Sequence, residues 1–351
     1  MERNEQVLSF VAEWFDPHPQ LLKKYLLKYF CETNEVEMKD LTTNRKFLKR
    51  TKVPSSIAQS DFFVGGTVVL FSRDLKITDY GDDTTRKLLQ SAVEKTVVVL
   101  APKVFNLVGE VIKDIETAGF TLVNLRAFKF QLQREELEEA VRLLGRYDSI
   151  AREPGMVVAL AFRGQDCLKQ INDMMSSLNY GIACASTAEE VINFDKFFFS
   201  RRPTTAVYSN CTCCVIKPHA IKDRNSGAIL GAILSLGFEV SAMELFHMER
   251  PAAAEFLEVY DSVVKECYHM VDELCSGPMV AMEIRAGSDV VNAFRNSVGP
   301  WDVDMAKELY PDSIRARFGE TMVQNAIHCT DLPKDGINEV QYFFEVLAGS
   351  S

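Results

Sequence analysis

The sequence predicts an α+β protein: a β-rich N-terminal domain followed by two copies of one mixed domain. Three observations carry this reading. Residues 1–92 hold short β-prone runs separated by turn signals. From residue 93 onwards the sequence repeats itself. Each copy then follows the order strand, helix, strand, helices, strand, helix, strand, which is the split βαββαβ pattern of a ferredoxin-like sheet with helices on one face.

In the N-terminal domain the β-prone runs are 7–14, 21–29, 35–40, 46–51, 67–71 and 75–80, with Asp16-Pro17, Thr33-Asn34, Thr43-Asn44, Gly65-Gly66 and Gly81-Asp82 between them. The run 21–29 fits a helical period as well as a strand. Residues 84–93 read as a helix leading out. In the repeat, Val98-Val99-Leu100-Ala101-Pro102 matches Cys214-Val215-Ile216-Lys217-Pro218. Gly109 to Phe130 matches Gly227 to Met248, and Gly155-Met156-Val157-Val158-Ala159-Leu160 matches Gly277-Pro278-Met279-Val280-Ala281-Met282. The domains are therefore 1–92, 93–200 and 211–348, with the polar Ser200-Arg201-Arg202-Pro203-Thr204-Thr205 as linker.

Of the 351 residues, 47% are hydrophobic and 25% charged, as in globular protein, and a net charge of −10 argues against a general nucleic-acid coat. No run approaches the roughly 20 apolar residues that span a bilayer, and the charged start lacks a signal-peptide core. The expectation is a soluble intracellular protein with no membrane or nucleic-acid partner. The nine cysteines form no framework and read as reduced thiols. Cys211-Thr212-Cys213-Cys214 lacks metal-ligand spacing and reads as buried strand, so no metal site is assigned to protein ligands.

One constellation stands out in the second copy. Lys217 ends its first strand, Arg295 lies on a late helix, and Arg315 opens a basic segment. Asn325 and His328 follow, with Glu339 eleven residues past His328. Cations at element ends suit a polyanion, and phosphoryl transfer needs cations plus a positioned nucleophile. A neutral imidazole can attack phosphorus near neutral pH, and a carboxylate on its other nitrogen would fix the tautomer.

These residues, in this order, resemble the nucleoside diphosphate kinase family: Lys217-Pro218, Gly227 to Phe238, Gly277 to Met282, Arg295, Ile314-Arg315-Ala316-Arg317-Phe318-Gly319 and Asn325 to Asp331. The resemblance implies that His328 is the phosphorylated catalytic residue, oriented by Glu339. It implies that Lys217, Arg295, Arg315 and Asn325 hold a nucleotide such as ATP, and that Mg²⁺ bridges its phosphates. The ring that stacks on the base in this family falls near Cys267 and Tyr268. His219 stands where the family often has Asp, Cys329 where it often has Gly, and Trp301 near a usual Thr.

The first copy lacks this chemistry. Ala101 stands at the position of Lys217 and Asn172 at that of Arg295, the segment matching Arg315 is mostly deleted, and no histidine lies between His18 and His219. The whole chain resembles the ciliary and centrosomal branch of the family, in which a DM-ten module precedes two kinase-like copies. Phe47-Leu48-Lys49-Arg50-Thr51 and Asp61-Phe62-Phe63-Val64-Gly65 are among the residues that resemble that module. This implies association with tubulin, doublet microtubules and other axonemal proteins, in the cytoplasm and cytoskeleton, at the axoneme of a cilium or flagellum, at a basal body or at a centrosome. The basic cluster Arg45, Lys46, Lys49, Arg50 and Lys52 suits an acidic partner such as tubulin, or equally protects a sheet edge. Two functions are compatible with the sequence: a microtubule-associated scaffold that binds nucleotide, and an active kinase supplying nucleoside triphosphates at the cytoskeleton.

Overall fold

A computed structural model describes residues 5–16, 21–54, 57, 59–64, 66–71, 73–90, 94–130, 134–176, 181–287 and 289–350. The chain forms two compact units, Met1–Ala92 and Val93–Ser351.

The first unit is an antiparallel sheet of β1 (Val7–Asp16), β2 (Leu21–Phe30), β3 (Glu35–Asp40), β4 (Lys46–Lys52), β5 (Thr67–Leu70) and β6 (Arg73–Tyr80), in the order β4-β3-β2-β1-β6-β5. Alternation sets its core: Leu8, Phe10 and Ala12 on β1 and Tyr25, Leu27 and Tyr29 on β2 are buried together. That two-residue period resolves the ambiguous run 21–29 as a strand. Helix α1 (Asp83–Gln90) follows, its first turn held by Asp82 Oδ1 accepting from the Thr85 N–H at 2.6 Å. Gly65 and residues 17–20 lie outside the described residues.

The second unit begins with β7 (Glu94–Leu100), α2 (Val108–Thr117), β8 (Thr121–Phe128), α3 (Arg134–Leu144), α4 (Ser149–Arg152), β9 (Val157–Gly164), α5 (Cys167–Ser176), β10 (Ile182–Cys184) and α6 (Ala188–Phe198). The second copy holds β11 (Cys211–Ile216), α7 (Pro218–Lys222), α8 (Ser226–Ser235), β12 (Glu239–His247), α9 (Arg250–Phe256), α10 (Cys267–Cys275) and β13 (Pro278–Arg285). It continues with α11 (Val290–Val298), α12 (Val303–Leu309), α13 (Ile314–Phe318), β14 (Ile327–Cys329) and α14 (Gly336–Gln341).

The two copies, 93–200 and 211–348, lie within one compact unit. They share one eight-stranded sheet, ordered β10-β7-β9-β8-β12-β13-β11-β14. The order is that of one four-stranded sheet joined to its own reversed copy, a pseudo-twofold arrangement within one chain. At the seam β8 meets β12 with Arg126 opposite Glu244, and their side chains form an ion pair. Arg126 also donates to the Phe199 and Ser200 carbonyls, so it fastens the connecting segment. Above the seam α2 packs on α8 at near-backbone contact. A Cβ on Gly109 would lie 2.5 Å from the Gly231 Cα and 3.0 Å from the Gly227 carbonyl oxygen, so glycine is what permits the approach. The Glu116 carboxylate of the first copy accepts from the Ser226 hydroxyl and, at 2.9 Å, the Gly227 N–H of the second. Nor is Ser200–Thr205 a free linker, because Arg202 pairs with Glu136 and lies over the Phe128 and Phe197 rings.

The expectation of helices on one face also needs correction for the second copy. Along β11, Cys211, Cys213 and Val215 pack with Met270, Leu274 and Phe343. Cys214 and Ile216 pack with Ile229, Ile233 and Phe294. A strand between two helical layers is apolar on both faces, and every residue of β11 is buried.

Candidate functional site

The site grows from the end of β11 and the turn into β14. Ala326 sits in the left-handed region at φ 70°, which costs a non-glycine residue about 1 kcal/mol. Its surroundings hold it there. The Ala326 carbonyl accepts from the Lys217 N–H at 2.9 Å, and its N–H donates to His219 Nε2 at 3.2 Å. His219 in turn sets its Nδ1 2.7 Å from Glu273 Oε1, a tautomer that makes Nδ1 the donor. Burial pushes the Glu273 carboxyl up, but the hydrogen bonds it accepts from the His219 ring, the His219 N–H and Gln324 outweigh it and leave the group below its ordinary range. His219, read from sequence only as a departure, is thus a buried brace for the turn that delivers His328.

His328 lies on β14 opposite Val215. Its Nε2 is 2.8 Å from Glu339 Oε2, on α14. The same oxygen accepts from the Thr330 hydroxyl at 3.0 Å. The Phe256 ring stands edge-on to the imidazole at 5.1 Å. With the carboxylate as acceptor, Nε2 carries the proton and Nδ1 keeps its lone pair.

A cavity of about 320 Å³ opens beside the imidazole, lined by Lys217, Arg295, Arg315, Asn325 and His328 among others. The five residues are dispersed over 112 positions of sequence, and the fold brings them to one wall. Lys217 is only 5% exposed. Its ammonium donates to the Val323 carbonyl and to Asn325 Oδ1, each at 2.7 Å. Burial, aided by the Arg315 charge, pushes its pKa down to about 7. Arg315 donates to the Gly299 carbonyl at 3.0 Å and the Ile327 carbonyl at 3.2 Å, while its Nε is buried with no hydrogen-bond partner among the described residues. Arg295 is tied to Asp331 at 2.7 Å. The Tyr260 hydroxyl donates to the other Asp331 oxygen at 2.5 Å. Cations held by weak carbonyl acceptors, one with an orphan N–H, are a receptor for anionic oxygens.

Cys267 and Tyr268 are not brought to this cavity. Cys267, the first residue of α10, is buried in the core with its thiol 3.9 Å from the Leu257 carbonyl. Tyr268 is 66% exposed, with the Arg250 guanidinium over its ring. The apolar walls come from Tyr260, Met270 and Trp301, with Tyr260 and Trp301 edge-to-face at 5.8 Å. Sequence reasoning missed Tyr260 and Asp331. The signal available for Asp331 was its place three residues after His328.

The first copy shows the same frame without the chemistry. Gly181, at φ 72°, accepts from the Ala101 N–H as Ala326 accepts from Lys217. Strand register then puts Ala183 opposite Val99, where the second copy has His328 opposite Val215. Asn172 Nδ2 donates to the Leu168 and Ala185 carbonyls, internal contacts where Arg295 would face a ligand.

Comparison with known proteins agrees with this architecture. The sequence pattern of the family described as nucleoside diphosphate kinase matches residues 210–347, and that of the DM10 domain matches residues 1–84. Nucleoside diphosphate kinase homolog 7 of Rattus norvegicus is 39% identical, with 97% of this chain and 93% of that protein covered. The Mus musculus protein of the same name is 38% identical over the same shares. A nucleoside diphosphate kinase of Aquifex aeolicus is 32% identical over 39% of this chain and 94% of its own length. A crystal structure of the Aquifex aeolicus enzyme aligns with 40% of this chain at 31% identity and a TM-score of 0.38. With a DM10 domain ahead of paired kinase-like copies and the relatives matched over nearly their whole length, the chain belongs to the nucleoside diphosphate kinase homolog 7 family.

Proposed function

We propose that the second copy binds a nucleoside triphosphate or diphosphate and passes the γ-phosphate through His328. The observation that carries this reading is the single cavity shared by His328, Lys217, Arg295 and Arg315. Lys217 and Arg315 hold phosphate oxygens, and Arg295 reaches them when a phosphate competes with Asp331. Nδ1 of His328 attacks the γ-phosphorus while the nucleoside diphosphate leaves. Glu339, accepting from Nε2, stabilises the positive charge that the ring acquires. The reverse transfer to a second nucleoside diphosphate completes a ping-pong cycle. Among the described residues no three His, Cys, Asp or Glu cluster as metal ligands, and Asp331 is the carboxylate on the cavity wall. That donor set fits a magnesium ion held chiefly by nucleotide phosphates, with Asp331 within reach, and such an ion would neutralise phosphate charge.

Incubation with γ-radiolabelled ATP and Mg²⁺ is expected to leave an acid-labile, base-stable label that His328→Ala abolishes. An unlabelled wild-type protein rejects the reaction.

The whole chain, in this proposal, works as a microtubule-associated component of the axoneme, with the nucleotide site serving that assembly. The support is the family's DM10-plus-kinase layout and the basic edge strand β4. Among the described residues Arg50 pairs with Glu5 and Glu35 and Lys46 with Glu37, and Lys49 and Lys52 are exposed on that edge. Tagged protein is expected to stay with the axoneme through detergent extraction, and full release into the soluble fraction refutes the assignment. Among the described residues no helix is long and apolar enough to cross a membrane.

A further inference from the structure

We propose that Cys214 and Cys329 form a reversible disulfide, an oxidative modification site on the strand that carries His328. Strand register sets the two cysteines directly opposite each other on β11 and β14. The neighbouring rungs show which kind of pair they make. The Lys217 N–H donates to Ala326, and the Thr330 N–H donates to Cys213. Hydrogen-bonded and non-hydrogen-bonded rungs alternate in an antiparallel ladder, so Cys214 and Cys329 occupy a non-hydrogen-bonded rung. There the Cα atoms stand about 4.5 Å apart with side chains on one face, inside the separation of roughly 4.4–6.8 Å that a disulfide spans. Both thiols are free and belong to the same core cluster. Cys211 and Cys213 point to the opposite layer, so the sheet itself selects Cys214 as the partner.

Access comes through the nucleotide cavity, because Cys329 lines its wall whereas Cys214 is fully buried. Burial raises both thiols, and the Arg315 charge opposes that rise at each. Arg315 Nη2 lies 4.0 Å from the Cys329 sulfur. Oxidation is therefore slow at neutral pH and quickens as pH rises.

With hydrogen peroxide as oxidant the Cys329 thiolate attacks one peroxide oxygen. An S–O bond forms, the O–O bond breaks, and the departing hydroxide takes up the thiol's proton as water. Cys214 sulfur then attacks the Cys329 sulfenic acid. The S–S bond forms, the S–O bond breaks, and hydroxide leaves with the Cys214 proton as a second water. Two thiols lose two electrons and one peroxide becomes two waters. The step does not depend on the kinase reading.

The test treats the full chain with hydrogen peroxide, alkylates remaining thiols after unfolding, and maps peptides without reductant. The expected product links the peptide holding Cys214 to that holding Cys329, lighter by two hydrogens and lost on adding dithiothreitol. Cys213→Ser is expected to retain the link, and Cys214→Ser or Cys329→Ser to remove it. Recovery of Cys329 in wild type only as thiol or sulfinic acid overturns the proposal, and so does a link that survives Cys214→Ser. The wild-type map decides even where a serine variant fails to fold.

Discussion

Burial of the Lys217 ammonium makes the protein less stable, and the size of that effect follows from its surroundings. Its pKa falls from 10.5 to about 7 on folding. At about 1.4 kcal/mol per tenfold, holding the ammonium in the folded site costs roughly 5 kcal/mol at acidic to neutral pH. Between pH 7 and 10.5 the unfolded chain binds a proton that the folded chain has released, so stability rises with pH across that window. Integration gives a relief of about 2 kcal/mol between pH 7 and pH 9. Thiols of the unfolded chain lose their protons at about pH 8.5, inside this window, so the quantity to measure is the difference between wild type and Lys217→Met. The chain has two tryptophans, Trp14 in the first unit and Trp301 in the cavity. In a Trp14→Phe background, Trp301 fluorescence during urea unfolding reports the unit that holds Lys217. Lys217→Met strips the Val323 carbonyl and Asn325 Oδ1 of a donor, at about 1–3 kcal/mol each, so stability at a single pH is a poor gauge. The slope is diagnostic. Wild type should gain about 2 kcal/mol relative to the variant from pH 7 to 9. Parallel profiles would refute the reasoning.

Three further outcomes are expected. Glu339→Gln should slow labelling of His328 by about 10²-fold, the scale of a misplaced reacting group, in a rapid-quench assay with radiolabelled ATP. Gly109→Val should destabilise the second unit by at least about 3 kcal/mol in Trp301-detected unfolding, because the new side chain meets the backbone of α8, which cannot move aside without parting the copies. Tyr268→Ala should leave nucleotide affinity within about twofold, whereas Tyr260→Ala should weaken it by about tenfold or more in calorimetry, since Tyr260 carries the cavity's wall and anchors Asp331.

Much of the fold is legible in the sequence because its signals are local. The alternation of Leu8, Phe10 and Ala12 and the turn residues after them define the first sheet. The repeated Gly-Phe and Gly-x-Val-Val/Gly-Pro-Met-Val segments define the two copies. The placement of the base-binding wall fails for the same reason: Cys267 and Tyr268 lie next to each other in sequence, yet successive residues of α10 point to different sides of the helix. The reading of helices on one face fails because β11 runs Cys-Thr-Cys-Cys-Val-Ile, with no two-residue alternation to show which faces are covered.

The asymmetry between the copies is written in the chain itself: a histidine stands at 328 in the second, and none lies in 19–218. The chain also sets the order of elements, which short-range periodicity and turn chemistry specify. Tertiary structure decided that the copies merge into one sheet, because the β8–β12 seam and the α2–α8 approach join residues more than 100 positions apart. It alone decided that Lys217 is buried and weakened as a cation, that His219 and Glu273 brace the turn before His328, and that Cys214 faces Cys329. Burial and pKa depend on which distant groups exclude water from a side chain, and strand register on which distant segment pairs with it.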